Sequence, residues 1–145
     1  MTIQTFRTIQ DMRTQVAAWK AAGLRVGLVP TMGNLHKGHI ALVSAALDEC
    51  DRVITTIFVN PTQFGANEDL DSYPKTEKSD SAKVANAGGH AMFIPSTSEM
   101  YPVGFSTRVI VDVLTDCLCG IARPGHMDGV SQVVTKLLNQ AHADV

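Results

Sequence analysis

The chain has 145 residues, of which 45% are hydrophobic, enough for one domain with a real core. Twelve Lys and Arg against fourteen Asp and Glu give a formal charge of −2, and no basic block stands out, which argues against nucleic-acid binding. No run reaches membrane-helix length and the N-terminus has no apolar signal-peptide core, so no membrane contact and a cytoplasmic location are expected.

In chain order, Ile9, Met12, Val16 and Trp19 recur at helical spacing behind a Thr8/Asp11 cap, and Gly23 ends that helix. Residues 26–29 read as a buried strand. A loop follows, then a helix carrying Ile40, Val43 and Leu47 and ending near Cys50. Residues 53–59, rich in β-branched side chains, predict a second strand. Residues 60–74 are a polar loop with Pro and Gly. Residues 76–87 predict a helix closed by Gly88 and Gly89, and residues 91–94 a third strand. Ser96 and Glu99 form a capping box for a short helix stopped at Pro102. Residues 106–113 alternate as a strand would, with Thr107, Val109 and Val111 on one face. Val130, Val133, Val134, Leu137, Leu138 and Ala141 give a final amphipathic helix, and residues 143–145 begin something apolar.

Strands alternating with helices imply an α/β protein with a parallel sheet and right-handed crossovers. Ligands of such sheets bind at the carboxyl ends of the strands. His36, His39, Asn60 and Gln63 all follow predicted strands, so this topology brings them to one edge. Cys50, Cys117 and Cys119 make an odd count. The spacing of Cys117, Cys119 and His126 fits no common structural zinc site, so reduced thiols and no bound metal are expected.

The densest motif is Pro30-Thr31-Met32-Gly33-Asn34-Leu35-His36-Lys37-Gly38-His39, a strand exit, a glycine-bearing loop and a helix start. A helix N-terminus presents unpaired N–H groups and partial positive charge to a phosphate. Two imidazoles beside it can bond phosphate oxygens and stabilise charge that develops during phosphoryl or nucleotidyl transfer. Lys37 reads as a solvated position within the motif. Gln63 and Asn60 can each donate and accept, which suits a substrate bearing hydroxyls and a carboxylate. Taken alone, each also fits an ordinary loop or turn residue. Arg123 could grip a carboxylate or phosphate with two bonds, or anchor its loop. Val133 and Val134 at helical spacing read as core.

The motif resembles the HxGH element of the nucleotidylyltransferase superfamily, related to class I aminoacyl-tRNA synthetases. The longer string from Val29 to His39 resembles the pantothenate synthetase family. So do Phe58-Val59-Asn60-Pro61-Thr62-Gln63-Phe64, Tyr73-Pro74-Lys75-Thr76, Glu99-Met100-Tyr101-Pro102 and Arg123-Pro124-Gly125-His126. Other HxGH transferases, such as cytidylyltransferases, would not predict the Asn60–Phe64 string or the loop at Arg123. A non-catalytic module that keeps affinity for ATP or pantoate is the reading from a different class.

The resemblance implies a Rossmann-like sheet and ATP-dependent joining of pantoate to β-alanine through a pantoyl-adenylate, releasing pyrophosphate and AMP. It makes His39 and His36 the catalytic pair and residues 30–39 the ATP-binding segment. It places Gln63, Asn60, Arg123, Val133 and Val134 around the substrate. Asp80 falls near an acidic position linked to magnesium, and Mg2+ is expected to arrive with ATP. Family members are homodimers, with residues 106–113 as a candidate interface strand. They also continue beyond position 145, through a Gly-x-Lys-Asp segment and a lid domain. The chain therefore reads as a C-terminally truncated, N-terminal nucleotide- and pantoate-binding domain over residues 1–145, with about half the site and no appreciable activity alone.

Overall fold

The computed structural model describes residues 3–64, 76–112, 121 and 125–145. Their elements, in chain order, are β1 (Gln4–Phe6), α1 (Ile9–Ala21), β2 (Val26–Val29), α2 (Lys37–Glu49), β3 (Arg52–Thr56) and a 3₁₀ turn (Pro61–Gln63). Then come α3 (Glu77–Asn86), β4 (Ala91–Phe93), α4 (Thr97–Met100) and α5 (His126–Ala141). The four strands form one parallel sheet in the order β1-β4-β3-β2.

Period-two alternation splits the side chains between two faces of the sheet. Val26, Leu28, Ile54, Ala91 and Phe93 join Met12 and Val16 of α1 and Val133, Leu137 and Ala141 of α5 in one cluster. Val29 and Val53 pack with Val43 of α2, and Met92 packs with Val84 of α3. The result is three layers, with α1 and α5 on one face and α2 and α3 on the other. Gly27 permits the close approach of α2: a Cβ there would lie 3.3 Å from Cys50 Sγ and 3.4 Å from Ala46 Cβ. Cys50 is a buried free thiol; Cys117 and Cys119 lie outside the described residues. Among the described residues no helix is long and apolar enough to cross a membrane.

The helix caps read from the sequence form with one change of partner. Thr8 accepts from Asp11 N at 3.1 Å, and Ser96 accepts from Glu99 N at 3.1 Å. The Glu99 carboxylate does not close a box on Ser96. It accepts from Ile9 N at 2.7 Å, so α4 caps the first turn of α1 from 90 residues away in sequence.

Three segments differ from the sequence expectation. β1 is an unpredicted edge strand: only Phe6 of its three residues is buried, so it carries no alternating pattern. β3 ends at Thr56, three residues before position 59, although Ile57 N still bonds to Phe93 O at 2.9 Å and Phe58 N to Thr31 O at 3.1 Å. Residues 106–112, the described part of the expected strand at 106–113, have no strand structure. Val109 N bonds to the Gln132 side chain of α5 at 2.9 Å, so this stretch lies against a helix. Alternation needs a neighbouring strand to become a ladder.

β2 is flanked on its second side too. Leu28 N donates to Val145 O at 2.8 Å and Val145 N to Val26 O at 3.4 Å, the bond pair that a parallel neighbour makes. The chain steps from β2 to β3 to β4 in one direction and returns after α5 to the far side of β2. The C-terminal end of β2 is therefore a topological switch point, where open α/β sheets have their ligand crevice.

Candidate active site

Thr31, just after β2, ties together the two loops that leave the switch point. Its hydroxyl donates to Thr56 O at 2.6 Å, its N–H to Thr56 Oγ1 at 3.2 Å, and Phe58 N donates to Thr31 O at 3.1 Å. The same hydroxyl accepts from Gly33 N at 3.1 Å. The loop then passes through two consecutive left-handed residues, Gly33 (φ 87°) and Asn34 (φ 53°), and enters α2.

His36 is the N-cap of α2, and its partner is the second motif histidine. His36 Nδ1 accepts from Gly38 N at 3.1 Å, while His36 N donates to His39 Nδ1 at 3.3 Å. The rings stand 4.1 Å apart, tilted by 47°. A backbone N–H can only donate, so both Nδ1 atoms are acceptors. Each neutral imidazole therefore carries its proton on Nε2. Burial holds the His39 pKa below the ordinary imidazole value, the nearby His36 lowers it further, and Asp80 opposes both. The pair thus supplies two Nε2–H donors without needing to be cationic.

Unpaired N–H groups at this helix start are the phosphate donors that the motif predicts. The structure changes the donor set. The N–H groups of Gly33, Asn34, Leu35, His36 and Gly38 each bond to a side chain of the protein. Most of the loop's backbone donors are used in shaping the loop, so its side chains, the two imidazoles among them, carry the donors left for a ligand. Lys37 is exposed.

A cavity of about 250 Å³ opens beside His39, lined by Pro30, Thr31, Met32, Phe58, Gln63, Val130, Val133, Val134 and Leu137. It brings together His39, the start of the motif, Gln63 and both valines. Asn60 and His36 do not line it, and Arg123 lies outside the described residues. Phe58, Val130 and Leu137 carry no site signal of their own in the sequence, yet they line the cavity. The signal for two of them is the α5 stripe Val130, Val133, Val134 and Leu137, at i, i+3, i+4 and i+7, which is cavity wall as well as core. A wider groove of about 610 Å³ lies beside Tyr101, Phe105, Arg108 and Gln132, but it holds neither histidine of the motif.

Asn60 is completely buried. Its Oδ1 accepts from Thr62 N (3.3 Å), Thr62 Oγ1 (2.9 Å) and Tyr101 OH (3.0 Å). Its Nδ2 donates to Gly129 O and Gln63 Oε1, both at 3.0 Å. The Thr62 N–H and the Gly129 carbonyl fix which end of the Asn60 amide is which, and Asn60 then fixes Gln63. With Oε1 engaged, Gln63 has its Nε2 donor to offer a ligand. His126 Nδ1 holds Gln63 O at 2.8 Å. The contact between α5 and the 3₁₀ turn depends on Gly129: a Cβ there would sit 2.3 Å from Thr62 O and 2.8 Å from Gln63 N.

Asp80, the acidic position that the resemblance links to magnesium, has its carboxylate engaged within the protein. Asp80 is fully buried, not solvent-facing as a polar helix suggests. Its Oδ2 accepts from Asn34 N and Thr76 Oγ1, and its Oδ1 from Leu35 N and Lys83 Nζ. Those four bonds use the four lone-pair positions of a carboxylate. No group of three or more His, Cys, Asp and Glu gathers around a common point among the described residues.

The family model described as pantoate-beta-alanine ligase matches residues 4–145. Pantothenate synthetase of Chelativorans sp. (strain BNC1) is 56% identical over 145 residues, all of this chain and 51% of that protein. The Rhodospirillum rubrum enzyme is 52% identical over 96% of this chain and 49% of its own length. Crystalline pantothenate synthetase from Thermus thermophilus superposes with a TM-score of 0.87 at 42% identity, over 97% of this chain and 50% of that one. Pantoate-beta-alanine ligase from Francisella tularensis, complexed with beta-gamma ATP and beta-alanine, gives 0.90 at 35% identity, over 98% and 54%. The chain spans about half the length of the relatives it matches. With the family model matched over residues 4–145 and a relative 56% identical along the whole chain, the chain belongs to the pantoate-beta-alanine ligase family.

Proposed function

We propose that this chain is the nucleotide- and pantoate-binding part of an enzyme that joins pantoate to β-alanine at the expense of ATP. The observation that carries the reading is the cavity shared by His39 and Gln63 beneath the α5 valines. It is polar at one end and apolar along one wall, as pantoate is, with its carboxylate and hydroxyls at one side and two methyl groups at the other. The Francisella tularensis relative complexed with beta-gamma ATP and beta-alanine supports the same substrate set.

In this reading ATP lies along residues 30–39 with its phosphates toward His36 and His39. A pantoate carboxylate oxygen attacks the α-phosphorus, the bond to the bridging oxygen breaks, and pyrophosphate leaves. The two Nε2–H groups stabilise the negative charge that grows on the phosphate oxygens. Gln63 Nε2 holds a pantoate oxygen, Val133 and Val134 take up its methyl groups, and Asn60 acts through Gln63. The β-alanine amine then attacks the acyl carbon of the adenylate, loses a proton, and AMP departs. Alignment of the carboxylate with the phosphorus supplies much of the rate. Mg2+ would come with the nucleotide, and no step is assigned to it.

The test is an amide NMR titration of this chain with pantoate, then with Mg·ATP. Pantoate is expected to shift Gln63, Val133 and Val134, and ATP to shift residues 33–39. A dispersed spectrum that neither compound perturbs would refute the assignment of these residues. Pantothenate formation is expected to be undetectable with this chain alone; steady production would overturn that part of the reading.

A further inference from the structure

The loop that carries the motif is shaped by a helix from elsewhere in the chain. Gly33 and Asn34, both left-handed, turn the next N–H groups the same way. Consecutive donors arranged like this form a concave nest for an anion. The anion is the protein's own: Asp80 Oδ2 accepts from Asn34 N at 2.8 Å and Asp80 Oδ1 from Leu35 N at 2.9 Å. Thr76 Oγ1 sits between, accepting from Asn34 N at 3.0 Å and donating to Asp80 Oδ2 at 2.7 Å. Lys83 Nζ closes the arrangement, donating to Leu35 O at 2.7 Å and to Asp80 Oδ1 at 3.3 Å. Leu35 is thus held at both its N–H and its carbonyl, immediately before His36.

We infer that Asp80, with Thr76 and Lys83, is a positioning residue that presets the His36–His39 pair for a phosphate ligand. The inference rests on the reading that these two imidazoles bind nucleotide phosphate. The carboxylate occupies the loop's nest, so the turn at residues 33–35 exists before any ligand arrives. His36 can cap α2 only from that turn, and its cap fixes the tautomer of both rings. A nucleotide then meets two aligned Nε2–H donors, and binding need not order the loop. Asp80 does this without touching the ligand, since all four of its acceptor positions are taken within the protein.

The experiment compares this chain with its Asp80→Asn and Thr76→Val variants by ¹⁵N NMR of the histidine rings, then measures Mg·ATP affinity. The wild type is expected to show both rings protonated on Nε2. In Asp80→Asn one acceptor becomes an NH₂ group facing an N–H. The ring signals of His36 and His39 should then move toward mixed tautomers, and ATP affinity should fall about tenfold or more. Thr76→Val, which keeps the charge, should do the same with about a threefold loss of affinity. Should Asp80→Asn fail to fold, Thr76→Val decides. A folded variant with wild-type ring signals and affinity overturns the inference. If the wild type binds no ATP but the ring signals still move in the variants, the positioning role stands and the nucleotide reading falls.

Discussion

Gly129→Ala is the sharpest probe of how the site is assembled. Gly129 lies inside α5, where alanine favours the helix by about 1 kcal/mol over glycine. Considered as a helix position alone, the change stabilises. The tertiary contact reverses the sign. The added methyl would stand 2.3 Å from Thr62 O, 2.6 Å from Thr62 C and 2.8 Å from Gln63 N. All three are backbone atoms, so no side chain can swing aside, and α5 or the 3₁₀ turn must move by about 1 Å to restore van der Waals contact. Overpacking of this kind costs about 1–3 kcal/mol. The displacement also strains the buried bond from Asn60 Nδ2 to Gly129 O, worth about 1–2 kcal/mol when a buried donor loses its partner. The net expectation is a loss of about 2–3 kcal/mol, or a melting temperature lower by roughly 6–9 °C for a chain of this length. Urea and thermal unfolding of the two proteins measure it. Pantoate titration of the folded variant should show weakened shifts at Gln63, because the turn that carries it has moved. An Ala variant as stable as the wild type, or more stable, would refute the close approach and with it the placement of Gln63.

Three further outcomes follow from the site. Asn60→Ala removes five hydrogen bonds and strands the Gly129 carbonyl, so it should destabilise by about 3 kcal/mol, against about 1 kcal/mol for Tyr101→Phe, which removes one of those five; equal denaturant midpoints would contradict the hub role. Gln63→Glu keeps the acceptor that Asn60 bonds but removes the outward donor and adds charge, so pantoate affinity measured by NMR should fall about tenfold or more, and an unchanged affinity would show that Nε2 is not the contact. Stability should decline on acidification. Burial first, then Arg52, holds His90 below its ordinary pKa, and its Nδ1 accepts from Val53 N at 3.2 Å; His39 is lowered likewise. Both rings bind a proton more readily in the unfolded chain, so their contribution is full above the unfolded value of about 6.5 and is lost as pH falls toward the folded values. Desolvation pushes the Asp80 carboxyl up, but its hydrogen bonds together outweigh that and hold it below the usual range. Its contribution is lost in turn as pH falls below about 4. Urea midpoints measured from pH 7.5 down to 3.5 should fall in these two stages; a midpoint unchanged between 7.5 and 5.5 would exclude the imidazole stage.

Local pattern determined much of this protein. Helical spacing of apolar residues marks α1, α2 and α5, a short apolar run marks β2 and a β-branched run marks β3, because burial imprints the period of the backbone on the sequence. The strand–helix alternation then implied a parallel sheet, and the sheet implied an edge where His39 and Gln63 meet. What no window of sequence could contain was the choice of distant partners. Asp80 on a polar helix has the pattern of a solvent-facing residue, yet it is buried, because the left-handed turn at Gly33 and Asn34 directs the N–H groups of Asn34 and Leu35 onto it. Glu99 reads as its own helix's cap and instead caps α1. Residues 106–112 alternate like a strand but lie against Gln132 of α5. Periodicity records that a face is buried, whereas hydrogen bonds between residues far apart in sequence depend on where the packed layers bring their ends. That is why the sequence could name the motif's histidines, and only the tertiary structure decided which atoms of them face outward.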